Sequence, residues 1–404
     1  MSSPRAVRFL DRTTPPHVIT LILIAGVATL SMNIFLPSLP TMTEYFQTDY
    51  RLMQLSVSVY LAFSAILQVI VGPLSDRFGR RPVILVGMAI FTVASVGCVF
   101  ATTIETFLAL RMIQASVITG MALGRAAVRD MVPQDQAASM IGYVTMGMAV
   151  VPMISPAIGG WLGGTFGWQS TFWFMGVAGG LTYFLVFFDL GETNLVKSSS
   201  FSEQFSQYPE VLGSTRFWGY SLAATFGSGA FFAFLGGAPF VGSVIYGLEE
   251  QAIGLYIGAP ALGYLTGNFI SGRYSVRYGI NRMILVGGAI LSIGMTCLLL
   301  TYLAGLGSAI VFFAFMTLVG LGNGLLMPNS NAGLLSVRPH LAGSASGLGG
   351  AIMIGGGAGL SAIAGLLLTP ETGAFPLIWI MLLTSLCSLA SILVVIRRDQ
   401  ELLA

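Results

Sequence analysis

Apolar stretches of membrane-spanning length follow one another along almost the whole chain. A bilayer core about 30 Å thick needs roughly 20 apolar residues per helix. Polar and turn residues divide the chain into twelve such stretches. The predicted spans are 18 to 38, 52 to 73, 82 to 100, 105 to 128, 138 to 161, 169 to 189, 217 to 240, 251 to 272, 281 to 303, 308 to 335, 342 to 368 and 375 to 396. This pattern predicts an all-α membrane protein.

One long polar segment, between Asp189 and Arg216, separates six spans from six. The predicted organisation is a tail 1–17, a six-helix bundle 18–190, a linker 191–215, a second bundle 216–396 and a tail 397–404. In the linker, Phe201, Phe205, Tyr208 and Leu212 recur at helical spacing. Both a short helix on the membrane surface and an unstructured linker are compatible with this spacing.

The two halves contain a repeated segment. GPLSDRFGRRPVILVGMAI from Gly72 matches GRYSVRYGINRMILVGGAI from Gly272 without a gap, with ten of nineteen positions identical. Both segments lie between the second and third spans of their half, which indicates duplication of a six-helix unit. Two pseudo-symmetric bundles of this kind place a substrate cavity at their interface near the membrane midplane. The repeat therefore predicts transport by alternating access.

Composition supports a membrane location and makes a metal or cofactor site unexpected. Of the 404 residues, 55% are hydrophobic and 8% are charged, against about 25% charged in soluble domains. The first apolar run is too long for the core of a signal peptide, so we expect it to be retained as a span. The three cysteines, Cys98, Cys297 and Cys387, lie in apolar runs without metal-ligand spacing.

The distribution of positive charge predicts the orientation. If the amino terminus is cytoplasmic, 16 of the 18 Lys and Arg residues fall on the inner side, Arg51 falls outside and Arg111 lies within a span. The positive-inside rule then places both termini in the cytoplasm. The net charge of +2 gives no indication of a nucleic-acid partner.

The segment from Gly72 to Pro82 contains Asp76, Arg77, Gly79, Arg80 and Arg81. Gly72 and Gly79 permit a tight turn, and Asp76 can pair with an arginine or accept hydrogen bonds from a helix of the other half. The segment resembles the G-x-L-a-D-r-x-G-r-k/r-x signature of the major facilitator superfamily, and the resemblance covers essentially the whole chain. It implies the fold of that family, and we expect these residues to form a conformational latch. In the second half, Val276 replaces the acid.

Arg111 lies about 9 Å into the fourth span, with Gln114 one turn away on the same face. A charge at this depth is costly unless it faces the bundle interior. These residues resemble the R-x-x-Q-G motif of the family, which implies a part in proton coupling, although Ala115 replaces the glycine. Arg129 and Asp130 end the span in a pattern similar to A-x-v-R-D of the bicyclomycin and chloramphenicol resistance (Bcr/CflA) branch; a gate pair and ordinary capping charges both fit.

The end of the first span, SMNIFLPSLP, also resembles that drug-efflux branch, whose members often carry an acid where this chain has Asn33. Asn33 and Arg111 have similar predicted depths, which is compatible with a shared cavity wall. An amide cannot carry a proton. We therefore expect Asn33 to bind substrate, and proton coupling to use Asp76 or Asp130 with Arg111 as partner.

The fifth span contains GMAVVPMISPAIGG. It resembles the antiporter motif of the family through Gly147, Pro156, Gly159 and Gly160, while Ser155 replaces a glycine. Proline interrupts the helical hydrogen bonds and the small residues permit close packing, so we predict a kinked hinge. Membrane helices also carry Pro and Gly without antiport.

The leading hypothesis is a secondary transporter of the bacterial inner membrane that exports small amphipathic or apolar drugs in exchange for protons. The resemblance implies export and monomeric function. An exporter or importer of a metabolite such as a sugar or amino acid is the alternative, since one fold serves many substrates. A membrane enzyme or sensor is a distant third hypothesis, because no catalytic constellation is apparent in the sequence.

Overall fold

A computed structural model describes residues 8–14, 16–131, 151–152, 154–194, 208–338 and 341–403. The regular elements in these ranges are all helical. In the first half they are α1, Val18–Asn33 continuing through a 3-10 turn into Leu39–Tyr45; α2, Tyr50–Phe78; α3, Arg80–Val99; α4, Ile104–Gln114 continuing through a 3-10 turn into Ile118–Met131; α5, 154–166; and α6, Gln169–Asp189.

In the second half they are α7, Thr215–Phe240 with a π turn Val241–Ile245; α8, Glu250–Ile257 and Ala259–Tyr278; α9, Ile280–Leu303; α10, Ala309–Val337; α11, Ala342–Leu367; and α12, Phe375–Leu403. A short helix, Tyr208–Leu212, precedes α7. In the described residues, ten helical segments are long and apolar enough to cross a bilayer. The element order thus contains the predicted twelve segments, although α8 is broken at Gly258 and α5 adjoins undescribed residues.

Side-chain caps explain where several helices begin. Asp49 caps α2, Thr103 caps α4, Ser214 caps α7 and Ser308 caps α10, each accepting a backbone N–H of the first turn. Such caps satisfy amide groups that the helix itself leaves unpaired.

The repeated segment forms the same turn in both halves. α2 ends at Phe78 and α3 begins at Arg80, with Gly79 between them at φ +103°. In the second half, Gly279 lies between α8 and α9 at φ +83°. Both glycines adopt a backbone conformation that L side chains rarely occupy. We call the end of the bundle that carries these two turns the basic end, and the opposite end the far end.

The helices extend further than the predicted spans. α2 continues to Phe78, so Gly72 lies inside the helix and Gly79 alone makes the turn. The prediction that Gly72 contributes to the turn is therefore wrong, because the helical hydrogen bonds continue through it despite Pro73. α12 continues to Leu403, through most of the segment predicted as a tail.

The two halves pack against each other along α2 and α11. Gln54 of α2 donates to the Ser361 carbonyl and hydroxyl of α11 at 2.6 and 2.9 Å. Tyr50 donates to the Gly236 carbonyl of α7 at 3.2 Å. In a membrane such polar contacts replace water that the chain cannot reach. This seam sets the interface where the cavity is expected.

Candidate functional site

Arg111 of α4 is fully buried within the first half. Its guanidinium donates to Gln114 Oε1 at 2.5 Å and to the backbone carbonyls of Ser31 and Ser56 at 3.5 and 3.4 Å. Gln114 then donates to Ser95 Oγ at 2.7 Å. The two motif residues are therefore linked on one face of α4, and their hydrogen bonds connect α1, α2, α3 and α4.

Aromatic rings supply further contacts to this charge. The guanidinium carbon of Arg111 lies 4.2 Å from the Phe35 ring centroid and 4.4 Å from that of Tyr60. Both distances fall within the range of cation–π attraction. In the described part of the chain, no Asp or Glu forms an ion pair with Arg111. Neutral carbonyl, amide and aromatic groups therefore stabilise the buried positive charge.

Asn33 is also buried, but it does not hydrogen-bond to Arg111. Its amide nitrogen donates to the Thr29 carbonyl of its own helix at 2.8 Å. Within the described residues, its Oδ1 has no hydrogen-bond partner. Arg111 contacts α1 at the Ser31 carbonyl and the Phe35 ring, so the two buried polar side chains are not directly linked. An unsatisfied buried acceptor of this kind is a candidate ligand contact.

The glycines of the antiporter-type motif lie where α5 crosses helices at the far end. A Cβ added to Gly159 would lie 1.6 Å from the Ile34 carbonyl oxygen of α1. A Cβ added to Gly160 would lie 2.5 Å from the Glu250 carbonyl oxygen of α8. These contacts involve backbone atoms, which cannot rotate away as a side chain can. Glycine at these positions is therefore required for α5 to pack against both halves.

The same contact continues along α5 and α8. A Cβ on Gly254 would lie 2.4 Å from the Pro156 carbonyl oxygen. Ser38 of α1 donates to Glu250 Oε2 at 3.1 Å, and Thr41 donates to Glu250 Oε1. We call this junction of α1, α5 and α8 the far-end gate. It joins the first half to the second.

At the basic end, Arg80 connects two acids of the first half. It forms an ion pair with Asp76 at 2.7 Å and with Asp130 at 3.2 Å. Thr193, beyond α6, also donates to Asp130 at 3.2 Å. Asp76, Arg80 and Asp130 thus tie α2, α3 and α4 together. The described ion pair of Asp76 lies within one half, so a latch between halves stays a prediction.

Arg81 and the linker complete this cluster. Arg81 donates to the Leu190 and Phe187 carbonyls at 2.8 and 2.9 Å, where α6 ends. Glu192 accepts the backbone N–H of Arg80 and Arg81 at 2.9 and 3.3 Å, which caps the first turn of α3. The positive end of that helix dipole favours a carboxylate.

The remaining motif residues are only partly described. The Arg77 guanidinium lies 5.5 Å from the Phe78 ring centroid. Arg129 belongs to α4, but its side chain is outside the described set, and Gly147 lies outside the described residues altogether. Their predicted roles stay predictions.

The second half repeats the basic-end contact with other residues. Asn281 occupies the position that corresponds to Arg81 in the repeated segment. It donates to Asp399 of α12 at 2.8 Å and accepts from Tyr220 at 2.8 Å, while Arg216 pairs with Asp399 at 3.0 Å. The third helix of each half is therefore linked to the sixth by polar contacts.

The sequence pattern does not distinguish two acidic residues to which the structure gives specific contacts. Asp189, at the end of α6, is fully buried and accepts hydrogen bonds from Leu10 N, His17 N and Thr20 Oγ1. Glu250 is the first residue of α8. Few acids border the predicted spans, so the position of an acid at a span end is the feature of the sequence that marks these two.

Comparison with known proteins identifies the family to which the chain belongs. The sequence profile of the Major Facilitator Superfamily matches residues 21–362 and 250–401. The chain belongs to the Major Facilitator Superfamily, and the predicted twelve-helix fold is confirmed. The protein is therefore a multi-pass membrane transporter.

Particular relatives are similar over most of their length. An uncharacterized MFS-type transporter of Bacillus subtilis, YdgK, is 29% identical over 370 residues, covering 90% of this chain and 91% of the relative. A chloramphenicol resistance protein of Pseudomonas aeruginosa is 29% identical over 357 residues, covering 87% and 84%. Multidrug resistance protein D of Escherichia coli is 26% identical over 365 residues, covering 88% and 89%.

Solved structures share the fold. The crystal structure of a D-xylose-proton symporter aligns with a TM-score of 0.72 at 16% identity, covering 93% of this chain and 96% of that one. That of the peptide transporter POT in complex with sulfate aligns with a TM-score of 0.74 at 13% identity, covering 94% of each. At these identities the likeness concerns architecture alone.

Proposed function

We propose that this protein exports small amphipathic or apolar drugs across the bacterial inner membrane by alternating access, coupled to proton influx. The observation that carries the proposal is the similarity over 87% of the chain to a chloramphenicol resistance protein. Similarity to multidrug resistance protein D over 88% of the chain supports the same substrate class.

The buried polar groups suit a neutral or aromatic substrate. Arg111 is surrounded by the Phe35 and Tyr60 rings, and Asn33 Oδ1 has no hydrogen-bond partner in the described part of the chain. Aromatic faces bind apolar molecules, while a few polar atoms orient them. We therefore propose Asn33 as a substrate contact, and Arg111 with Gln114 as the charged element that responds to coupling.

The contacts between the two halves support a state of the transport cycle that is closed at the far end. The far-end gate joins α5 to α8, whereas Asp76, Arg80 and Asp130 pair within the first half at the basic end. We propose that this is the state closed at the far end, and that export requires α5 and α8 to separate. Asp76 then gains a partner in the other half.

The distribution of positive charge supports the proposed orientation. Arg77, Arg80, Arg277 and Arg282 lie at or beside the two repeated turns. The positive-inside rule supports a cytoplasmic basic end and cytoplasmic termini. We propose rigid halves 18–190 and 216–396 joined by the linker 191–215, acting as a monomer.

The test is expression in a bacterium that lacks its own efflux pumps. We expect raised resistance to several amphipathic compounds, and substrate-linked proton movement in inverted vesicles. Vesicles from cells with the empty vector are the control. The absence of both resistance and proton movement across a broad panel would refute the proposal.

The Asn33→Ala variant tests the substrate contact of Asn33 separately from drug efflux by the protein. If Asn33 binds substrate, the variant at normal expression exports less of each compound. Unchanged export in this variant would remove Asn33 from the site while leaving drug efflux intact.

A further inference from the structure

One carboxylate connects the two halves at the far end. Glu250 begins α8, one residue before the predicted span 251–272. Its two oxygens accept hydrogen bonds from different hydroxyls of α1, those of Ser38 and Thr41. Because α1 and α8 belong to different halves, these bonds exist only while the far-end gate is closed.

Gly163 of α5 leaves space for the Glu250 side chain. A Cβ on Gly163 of α5 would lie 2.4 Å from Glu250 Oε2 and 2.2 Å from Ser38 Oγ. The carboxylate also borders a cavity of about 430 Å³, whose lining includes Pro40, Ser243 and Gln251. Glycine on α5 therefore lets three helices meet around one acid.

No positive side chain neutralises this acid in the described part of the chain, where Glu250 has no ion pair. Glu249 lines the same cavity. On the neighbouring elements, the titratable residues towards the far end are Glu44 and Tyr45 on α1 and Tyr246 after α7, and the described stretch 154–166 of α5 has none. The surroundings are neutral or acidic, which favours the protonated carboxyl.

We propose that Glu250 is a proton-binding site of the far-end gate, where a proton from the outer side favours the closed state that Ser38 and Thr41 hold. The proposal rests on the proposed orientation, in which the far end faces the proton-rich side. It gives Glu250 a pH-dependent gating role, which is separate from the proton coupling that the sequence predicts for Asp76 or Asp130. The proton binds from the outer side when the gate is open and leaves to the same side when the gate reopens, so this step by itself moves no proton across the membrane.

The direction of the effect follows from linkage. Burial raises the pKa of Glu250 in the closed gate, and this outweighs the lowering by hydrogen bonds from Thr41 and Ser38. Opening exposes the carboxyl to water, which returns its pKa towards the ordinary value of about 4.3. Protonation therefore favours the closed state fully below the open-state pKa, and this preference is lost as pH rises through the closed-state pKa.

Spin-label distances across the far end test this without any drug. We place labels at Thr102→Cys, after α3, and Leu306→Cys, after α9, in the full chain with its native cysteines replaced by alanine. Pulsed electron paramagnetic resonance in lipid vesicles then gives the closed fraction from pH 5 to 8.5. We expect that fraction to increase as pH falls, and Glu250→Gln to abolish the dependence by holding the gate closed. Glu249→Gln, on the exposed neighbouring acid, is the matched control and should retain it.

A second variant tests the proposal independently, in case Glu250→Gln folds poorly. Thr41→Val keeps the carboxyl but removes a donor that stabilises its ionised form, so the closed fraction at pH 8 should decrease below that of the native protein. Retention of the native pH dependence by Glu250→Gln, or its loss in Glu249→Gln, would overturn the proposal. A pH-dependent gate in a protein that confers no drug resistance would support the proton site while refuting drug efflux.

Discussion

Gly160 and Gly254 bring two helices from different halves into backbone contact. A Cβ added to either glycine would lie 3.1 Å from the Cα of the other. Side chains would hold the helices further apart, so the pair sets how closely α5 and α8 approach at the far end. The contact is one reason why a glycine-rich fifth span matters for closing the gate.

Gly160→Val should therefore impair closure. The new side chain meets the Glu250 carbonyl oxygen, and overpacking of this kind costs about 1–3 kcal/mol, directed against the closed state. We expect efflux to decrease by roughly 5- to 140-fold, which is what this cost corresponds to at about 1.4 kcal/mol per tenfold, with normal membrane insertion. Gly359→Ala is the matched control, because its Cβ meets nothing within 4 Å. Native efflux rates in Gly160→Val would contradict the gate.

The two repeated turns allow backbone strain to be separated from side-chain contact. Gly279→Ala introduces strain alone, because its Cβ meets nothing within 4 Å, whereas the Cβ of Gly79→Ala would lie 2.2 Å from Glu192 Oε2. A non-glycine residue in this conformation costs about 1–3 kcal/mol. Both variants should unfold at lower temperature in detergent. Gly79→Ala should lose more, because Glu192 must move away from the backbone N–H groups of Arg80 and Arg81 that it accepts. Equal stability to the native protein in Gly279→Ala would show that the turn can relax.

The role of Arg111 is tested by a substitution that keeps its charge. Lysine cannot reproduce the branched hydrogen bonds to Gln114, Ser31 and Ser56, and it stacks less well on the Phe35 and Tyr60 rings. Each cation–π contact contributes about 0.5–2 kcal/mol. We expect Arg111→Lys to lose most efflux while Arg51→Lys, on an exposed arginine, exports normally. Export by Arg111→Lys at the native rate would indicate that charge alone suffices.

The twelve segments, the duplicated turn and the burial of Arg111 could be predicted because each depends on local pattern. Span length follows from bilayer thickness, and an isolated arginine in an apolar run must face protein. The geometry of the latch could not be predicted from the sequence. Asp76 has several possible partners, and its partner depends on the conformational state of the transporter. The sequence pattern also predicts that Gly72 contributes to the turn, whereas Gly79 alone supplies the positive φ.

Glu250 illustrates what a single sequence hides. Its neighbours Glu249 and Gln251 give no indication that it differs from an ordinary loop acid. Its importance comes from Ser38 and Thr41, more than 200 positions earlier in the chain. Contacts of this kind depend on how the two halves dock, which no periodicity along one helix encodes.

Asp189 supports a final prediction about the amino-terminal segment. A carboxylate at the end of a helix is repelled by the helix dipole, so its presence at the end of α6 requires donors from elsewhere. Leu10 N, His17 N and Thr20 Oγ1 supply them at 2.7, 2.9 and 2.6 Å. In Asp189→Asn an NH₂ group replaces one acceptor, and leaving a buried donor unsatisfied costs about 1–3 kcal/mol. Hydrogen exchange should show faster exchange at Leu10 and His17, with a lower melting temperature. Asp11→Asn, whose carboxylate accepts from Thr13, is the control and should leave His17 protected. Unchanged protection in Asp189→Asn would mean that the segment is held by other contacts.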